Sequence, residues 1–329
     1  MGSLINYIPA TITSGFTMGI AITIFLGQIK DFLGLTFEKS PIETMEKVVE
    51  IGKSIGTFSL QAFIIGMIAL AILVFWPKKL QIIPPSLVAV IVTAAMVKLM
   101  DLQVNTIGDL YTVTSELPSF HLPTATFGDI VGLFPDALTI AVLAAIESLL
   151  SCVVSDSMIG SRHRSNMELI AQGAGNIVSA LFGGIPATGA LARTAANVKN
   201  GGRTPIAGMV HAVTLLLIVL VMMPYAALIP MPAIAAILFI VAYNMSGWRT
   251  VAHQIKTSPK SDTIVLVTTL VLTVVFDIVV AIVVGFVLAS LLFMKRMAEV
   301  TDVNGWVYPE AMNEEANDEN IFYKKVPSN

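Results

Sequence analysis

The segment Leu181-Phe182-Gly183-Gly184-Ile185-Pro186-Ala187-Thr188-Gly189-Ala190-Leu191-Ala192-Arg193-Thr194 joins a helix break to a helix start inside a long apolar run. Gly183-Gly184 and Pro186 disfavour a continuous helix, whereas Ala190 to Val198 favours one. A helix beginning near Thr188 or Gly189 leaves its first backbone N–H groups unpaired and turns its positive dipole end toward the break. That arrangement attracts anions, and Arg193, about one turn in, adds a full positive charge. Gly189, Ala190, Leu191, Ala192, Arg193 and Thr194 are therefore the candidate anion-binding residues. A plainer reading gives the glycines to close helix packing and lets Arg193 snorkel to water. No Gly-Lys-Ser/Thr follows the glycines, so the segment is not a P-loop.

A second constellation lies in residues 129–158, where Asp129, Asp136 and Glu147 share one helical face and Asp156 lies opposite Glu147. Glu147 stands mid-segment among Ala144, Ala145, Ile146, Leu149 and Leu150, with Ser148 and Ser151 at neighbouring angles. An intramembrane carboxylate is expensive and is functional by default. Glu147, Ser148 and Ser151 thus form a small polar patch that should face a cavity or a partner; a structural Glu147–Arg193 pair is the competing role. Asp277 reads as a helix-end residue, and His211 as a packing residue. His121, His163 and His253 are loop residues without metal-ligand spacing. No Ser/His/Asp grouping is visible, so an enzyme, a metal and a cofactor are not expected. The single cysteine, Cys152, excludes an internal disulfide framework.

These groups need a membrane scaffold. Lys and Arg number 19 and Asp and Glu 22, for a net charge of −3. Only 12% of residues are charged, against about 25% in soluble domains. Residues 1–29, 54–77, 169–192, 204–248 and 263–276 carry no Asp, Glu, Lys or Arg. Charge-free apolar runs of this length read as spanning helices, and the chain reads as an all-α polytopic membrane protein. Spans are expected at 8–29, 56–76, 82–100, 129–158, 167–183, 205–228, 230–245, 262–277 and 279–294, with a short helix at 190–199. Lys78, Lys79, Arg162, Arg164, Lys199, Arg203, Arg249, Lys256, Lys260, Lys295 and Arg296 mark the cytoplasmic side, and 101–128, which lacks Lys and Arg, the outside. The alternation closes only if 184–199 is re-entrant. Residues 37–53 read as an amphipathic interfacial helix, and 299–329 as an acidic cytoplasmic linker.

Three segments carry a resemblance. They are Tyr7-Ile8-Pro9 through Gly15-Phe16-Thr17 to Gln28-Ile29-Lys30-Asp31-Phe32-Leu33-Gly34; Ala144 to Ser151 with Asp156 and Arg162-His163; and Asn176 through the Gly183–Thr194 stretch to Asn200-Gly201-Gly202-Arg203. Here the chain resembles the SulP family of sulfate-type anion transporters, over residues 1–298. The resemblance implies a partial seven-plus-seven inverted-repeat transporter fold with core and gate domains and a half-helix anion site. Residues 129–158 would be its eighth helix, which lines the site and brings Ser148 and Ser151 to the anion as further ligands, and 190–199 its tenth. The first four helices and the STAS domain of the family would be absent, leaving three gate helices of repeat one and all of repeat two. The implied activity is secondary active transport of sulfate, bicarbonate or a dicarboxylate across an inner (plasma) membrane, coupled to protons by Glu147, with a homodimeric full-length parent. Sodium coupling or exchange on the same fold, or a channel-like or scaffold role, are the alternatives.

Overall fold

The computed structural model describes residues 10–39, 41–77, 83–113, 115–276 and 278–300. The Tyr7-Ile8-Pro9 opening, Lys78, Lys79, Asp277 and the linker from residue 301 lie outside the described residues. A helix occupies each expected span. The first four are α1 (Ala10–Leu33), α2 (Thr44–Ser54), α3 (Leu60–Phe75) and α4 (Pro85–Leu99). A short α5 (Ile107–Leu110) precedes α6 (Phe127–Ile159), α7 (Ser165–Leu181), α8 (Leu191–Lys199) and α9 (Pro205–Ala226). The series ends with α10 (Met231–Ser246), α11 (Trp248–Thr257), α12 (Lys260–Val275) and α13 (Ile278–Val300).

Length and apolarity qualify α1, α6, α9 and the stretch Met231–Thr257 as membrane spans by themselves. The amphipathic segment forms its helix over Thr44–Ser54, later than the expected 37–53, and meets α3 at a 116° bend. That bend suits a helix lying along the interface before the chain turns inward. Trp248–Thr257, expected as a basic loop, is instead the helix α11. Pro and Gly set several helix ends. Pro85 opens α4, Pro205 opens α9, and left-handed Gly160 (φ 69°) and Gly247 (φ 52°) close α6 and α10.

Residues 1–290 form one compact unit, and a second begins at Leu291. Within the first, α1 packs on α10 and α12, and α3 on α10 and α4. Small residues make these contacts close: Ala69, Ala89, Ala233, Ala235 and Ala236 are buried beside Phe32. The Phe32 ring meets Phe63 edge-on at 5.8 Å and Phe239 at 5.0 Å. Gly15 and Gly19 let α1 lie directly against Leu266 and Thr273 of α12, the packing that small residues four apart allow in membranes. Thr269 and Thr273 return their hydroxyls to carbonyls of their own helix at 2.8 and 2.7 Å.

A second group forms where α6 lies against α7 and α8. No residue of α9 is buried. On the side expected to be outside, the α4–α6 connection is clamped to the start of α10. Thr106 bridges Pro230, and the Ile107 and Gly108 amides donate to Ile229 and Ala227 carbonyls, both at 2.9 Å. Asp109 caps α5 by accepting from the Thr106 amide and hydroxyl, which holds its carboxyl below the usual carboxylate range. The orientation has a direct check. A Ser115→Cys variant in a Cys152→Ser background should label from outside in intact cells; labelling only after permeabilisation would invert the topology.

Candidate functional site

The site is built by the way α7 holds the non-helical stretch that follows it. Gly183 adopts φ 71°, and a β-carbon there would stand 2.9 Å from the His121 ring. The His121 amide donates to the Leu181 carbonyl at 2.9 Å, and the Phe120 and Phe182 rings meet edge-on at 5.8 Å. From Ile185 the chain runs extended along α7. Asn176 works as a substitute strand: its Oδ1 accepts from the Ala187 amide at 2.7 Å, and its Nδ2 donates to the Ala187 carbonyl at 2.9 Å. The Gln172 amide donates to the same carbonyl. The Thr188 hydroxyl then donates to the Ala144 carbonyl of α6 at 2.7 Å. Non-helical backbone in a membrane protein requires such partners.

The helix α8 starts where these bonds end. Its N-cap, Ala190, has extended backbone and offers no side-chain cap. The Thr194 amide closes the first turn onto the Ala190 carbonyl at 2.9 Å. The amides ahead of it have no intrahelical acceptor. Gly189 brings this end against α6: a β-carbon on it would lie 3.5 Å from Ser148 Cα and 3.7 Å from Ser151 Cβ.

A cavity of about 200 Å³ lies there, and Ser148, Ser151, Cys152, Glu168, Gly189 and Thr194 are on its wall. Ser148 is 1% exposed and donates its hydroxyl to Glu168 Oε1 at 2.7 Å. Ser151 is 4% exposed, and among the described residues its hydroxyl has no partner. A buried hydroxyl left unpaired costs free energy and calls for an explanation. Structure thus brings together Gly189, Thr194, Ser148 and Ser151 from the sequence-derived set. Glu147 is half-buried but not on this wall, and Arg193 is exposed. Among the described residues the two form no ion pair. Ala190, Leu191 and Ala192 supply the backbone at the helix start.

A third set of groups closes the cavity toward the α6–α7 turn. Asp156 accepts from the His163 amide at 2.8 Å and pairs with His163 Nδ1 at 2.7 Å, and it also accepts from Ser161 at 3.0 Å. Ser165 Oγ lies 2.9 Å from His163 Nε2. The expectation of no Ser/His/Asp grouping is corrected on this point. The left-handed Gly160 folds the turn back so that residues seven apart meet. Asp156 spends both oxygens on that turn, which makes it a connector of two helices.

Glu168 and Gln172 are not among the sequence-derived site residues, and Asn176 enters there only as the opening of a resemblance segment, although a signal exists. With Ser179 they stand at intervals of four, four and three, one polar stripe along an otherwise apolar helix. On its other side the stripe borders a larger cavity of about 520 Å³, mostly apolar, between α6 and α7 near Asp136 and Pro186.

Helices of membrane length, a broken segment pinned between two of them and a capless helix start define a multi-pass helical membrane protein with an interrupted segment between its spans. The profile of the sulfate permease family matches residues 1–269, so the chain belongs to that family of multi-pass membrane proteins. It is 40% identical over 306 residues to YvdB of Bacillus subtilis, named for sulfate transport, covering 92% of this chain and 58% of that protein. It is 32% identical over 252 residues to the bicarbonate transporter BicA of Synechocystis sp., covering 75% of this chain and 44% of that one. The chain thus spans about half the length of the curated relatives it matches. The transmembrane domain of a cyanobacterial BicA superposes with a TM-score of 0.71 at 28% identity, over 88% of this chain and 70% of that one. Murine Slc26a9, at 19% identity, shares the fold with a TM-score of 0.77, over 88% of this chain and 48% of that one.

Proposed function

We propose that this chain forms the anion-binding half of a secondary active transporter and takes up sulfate, bicarbonate or a dicarboxylate by alternating access. The observation that carries this reading is the unpaired, buried Ser151 hydroxyl facing the capless start of α8. Two kinds of donor converge on one small cavity, and an anion satisfies both. Arg193 adds long-range attraction. Its side chain is exposed and off the cavity wall, so it acts through its charge rather than by lining the site. Anion and proton travel together in this reading, because an ionised carboxylate beside the site repels the cargo and a protonated one admits it. Glu147, one residue from Ser148, is the carboxylate that sequence position singles out. The homodimer implied by the resemblance belongs to the same reading, and sodium coupling or exchange on this fold is its variant.

The test is a competition uptake panel in proteoliposomes with sulfate, bicarbonate and dicarboxylates. Saturable accumulation driven by an inward proton gradient is expected, and a channel or scaffold would show neither saturation nor accumulation. Arg193→Ala should weaken binding of the transported anion by about 1–3 kcal/mol, the worth of a charge-assisted hydrogen bond. Unchanged affinity with lost protein yield would instead give Arg193 a structural role.

A further inference from the structure

Glu168 lies at the start of the α7 polar stripe and is the carboxylate in direct contact with a hydroxyl of the anion cavity. Ser148 has one hydrogen to give, and it gives it to Glu168 Oε1 at 2.7 Å. An ionised carboxylate only accepts, so while Glu168 is charged the Ser148 hydrogen is committed to it and is not offered to an anion. The same charge stands on the cavity wall and opposes anion entry. A proton on Glu168 reverses both effects. The acid gains an O–H that can donate to Ser148 Oγ, and Ser148 can then aim its own hydrogen into the cavity beside Ser151.

We propose that Glu168 is the residue that couples a proton to the anion, with Ser148 as a relay whose donor direction reverses when Glu168 is protonated. This rests on the anion-transport reading above and assigns its coupling proton to one contact. The balance is simple: one proton from the aqueous phase joins a Glu168 oxygen as the anion enters, and leaves as the anion departs. The other ionisable groups on this cavity are Cys152 and Asp156 of α6 and His163 of the α6–α7 turn. Glu147 and Arg193 lie on the neighbouring helices off its wall. Asp156 is already committed to His163 and Ser161, so it is not free to act as a second relay.

Equilibrium binding of radiolabelled sulfate, and of bicarbonate counted as its ionised form, to the protein in proteoliposomes between about pH 5 and pH 8 tests this. The expected wild-type affinity falls as pH rises, by up to about tenfold per pH unit for one coupled proton. Glu168→Gln should hold the low-pH affinity throughout and lose the slope; His163 remains in that variant, so a slope carried by His163 would survive. Glu147→Gln should shift the affinity but keep the slope. Ser148→Ala should lose about tenfold or more at low pH, where the relay works, and flatten the profile. Ser148→Ala serves as the second route if Glu168→Gln does not fold.

A wild-type slope in Glu168→Gln, or a slope lost in Glu147→Gln instead, overturns the assignment. An unchanged profile in Ser148→Ala overturns it too. If the wild type binds neither these anions nor a dicarboxylate at any pH, the anion reading itself fails and takes this proposal with it, an outcome visible before any variant is compared.

Discussion

Gly15→Ala should destabilise the helix bundle formed by α1, α3, α4, α10 and α12 by about 1–3 kcal/mol, and Gly15→Val by more. The added β-carbon would stand 2.4 Å from the carbonyl oxygen of Leu266 and 3.3 Å from its Cα. Backbone cannot swing aside as a side chain can, so α1 and α12 must part. Gly19, one turn on, has the same relation to Thr273, at 2.6 Å from its Cβ, so parting at one point loosens the next. The alanine layer around Phe32 then loses contact, because close packing rather than water exclusion holds helices together in lipid. Gly27→Ala on the same helix is the control. Nothing lies within 4 Å of its β-carbon position, so it should be neutral or slightly stabilising. Unfolding midpoints in detergent decide the matter. Equal midpoints for Gly15→Ala and Gly27→Ala would mean that α1 and α12 do not approach this closely.

The membrane spans were legible because charge-free apolar runs have one physical solution, and the Pro and Gly residues between them mark where backbone bonding stops. The α7–α8 break was legible for the same reason, from Gly183, Gly184 and Pro186. What a single chain order does not hold is the register between helices. Ser148 and Ser151 were placed together with Glu147 by their angles on α6. The start of α8 and Glu168 of α7 then meet α6 on the serine side, which leaves Glu147 off the cavity wall. Asn176 and Gln172 were not read as site residues because their partner, Ala187, is a backbone position with no side-chain signal. α11 was read as a basic loop because Arg249 and Lys256 were weighed as topology markers. Its alternation of Trp248, Val251 and Ile255 with polar residues, and the buried Val251, show an amphipathic helix instead. The Asp156–His163 pair depended on the left-handed turn at Gly160, a conformation that becomes visible only in three dimensions.

Gly189→Val is expected to abolish anion binding while leaving the fold nearly intact. The β-carbon position of Gly189 is 3.5 Å from Ser148 Cα, 3.6 Å from Ser148 Oγ and 3.7 Å from Ser151 Cβ. These are ordinary contacts, so a single methyl fits between α8 and α6, and Gly189→Ala should cost at most a few-fold in affinity. Valine adds two further carbons in the direction of the two serines, where the cavity of about 200 Å³ lies. That space takes a small anion together with a few waters, since one water in the liquid occupies about 30 Å³. An anion pushed outward loses reach to the α8 amides and to Ser151 together. Each charge-assisted bond is worth about 1.5–3 kcal/mol, so losing two should lower sulfate or bicarbonate uptake by well over a hundredfold. The unfolding midpoint separates the possible causes. Lost binding at an unchanged midpoint places the anion at the α8 start, whereas a lowered midpoint means that valine has wedged α8 away from α6. Uptake by Gly189→Val close to that of Gly189→Ala would show that the anion does not occupy this cavity.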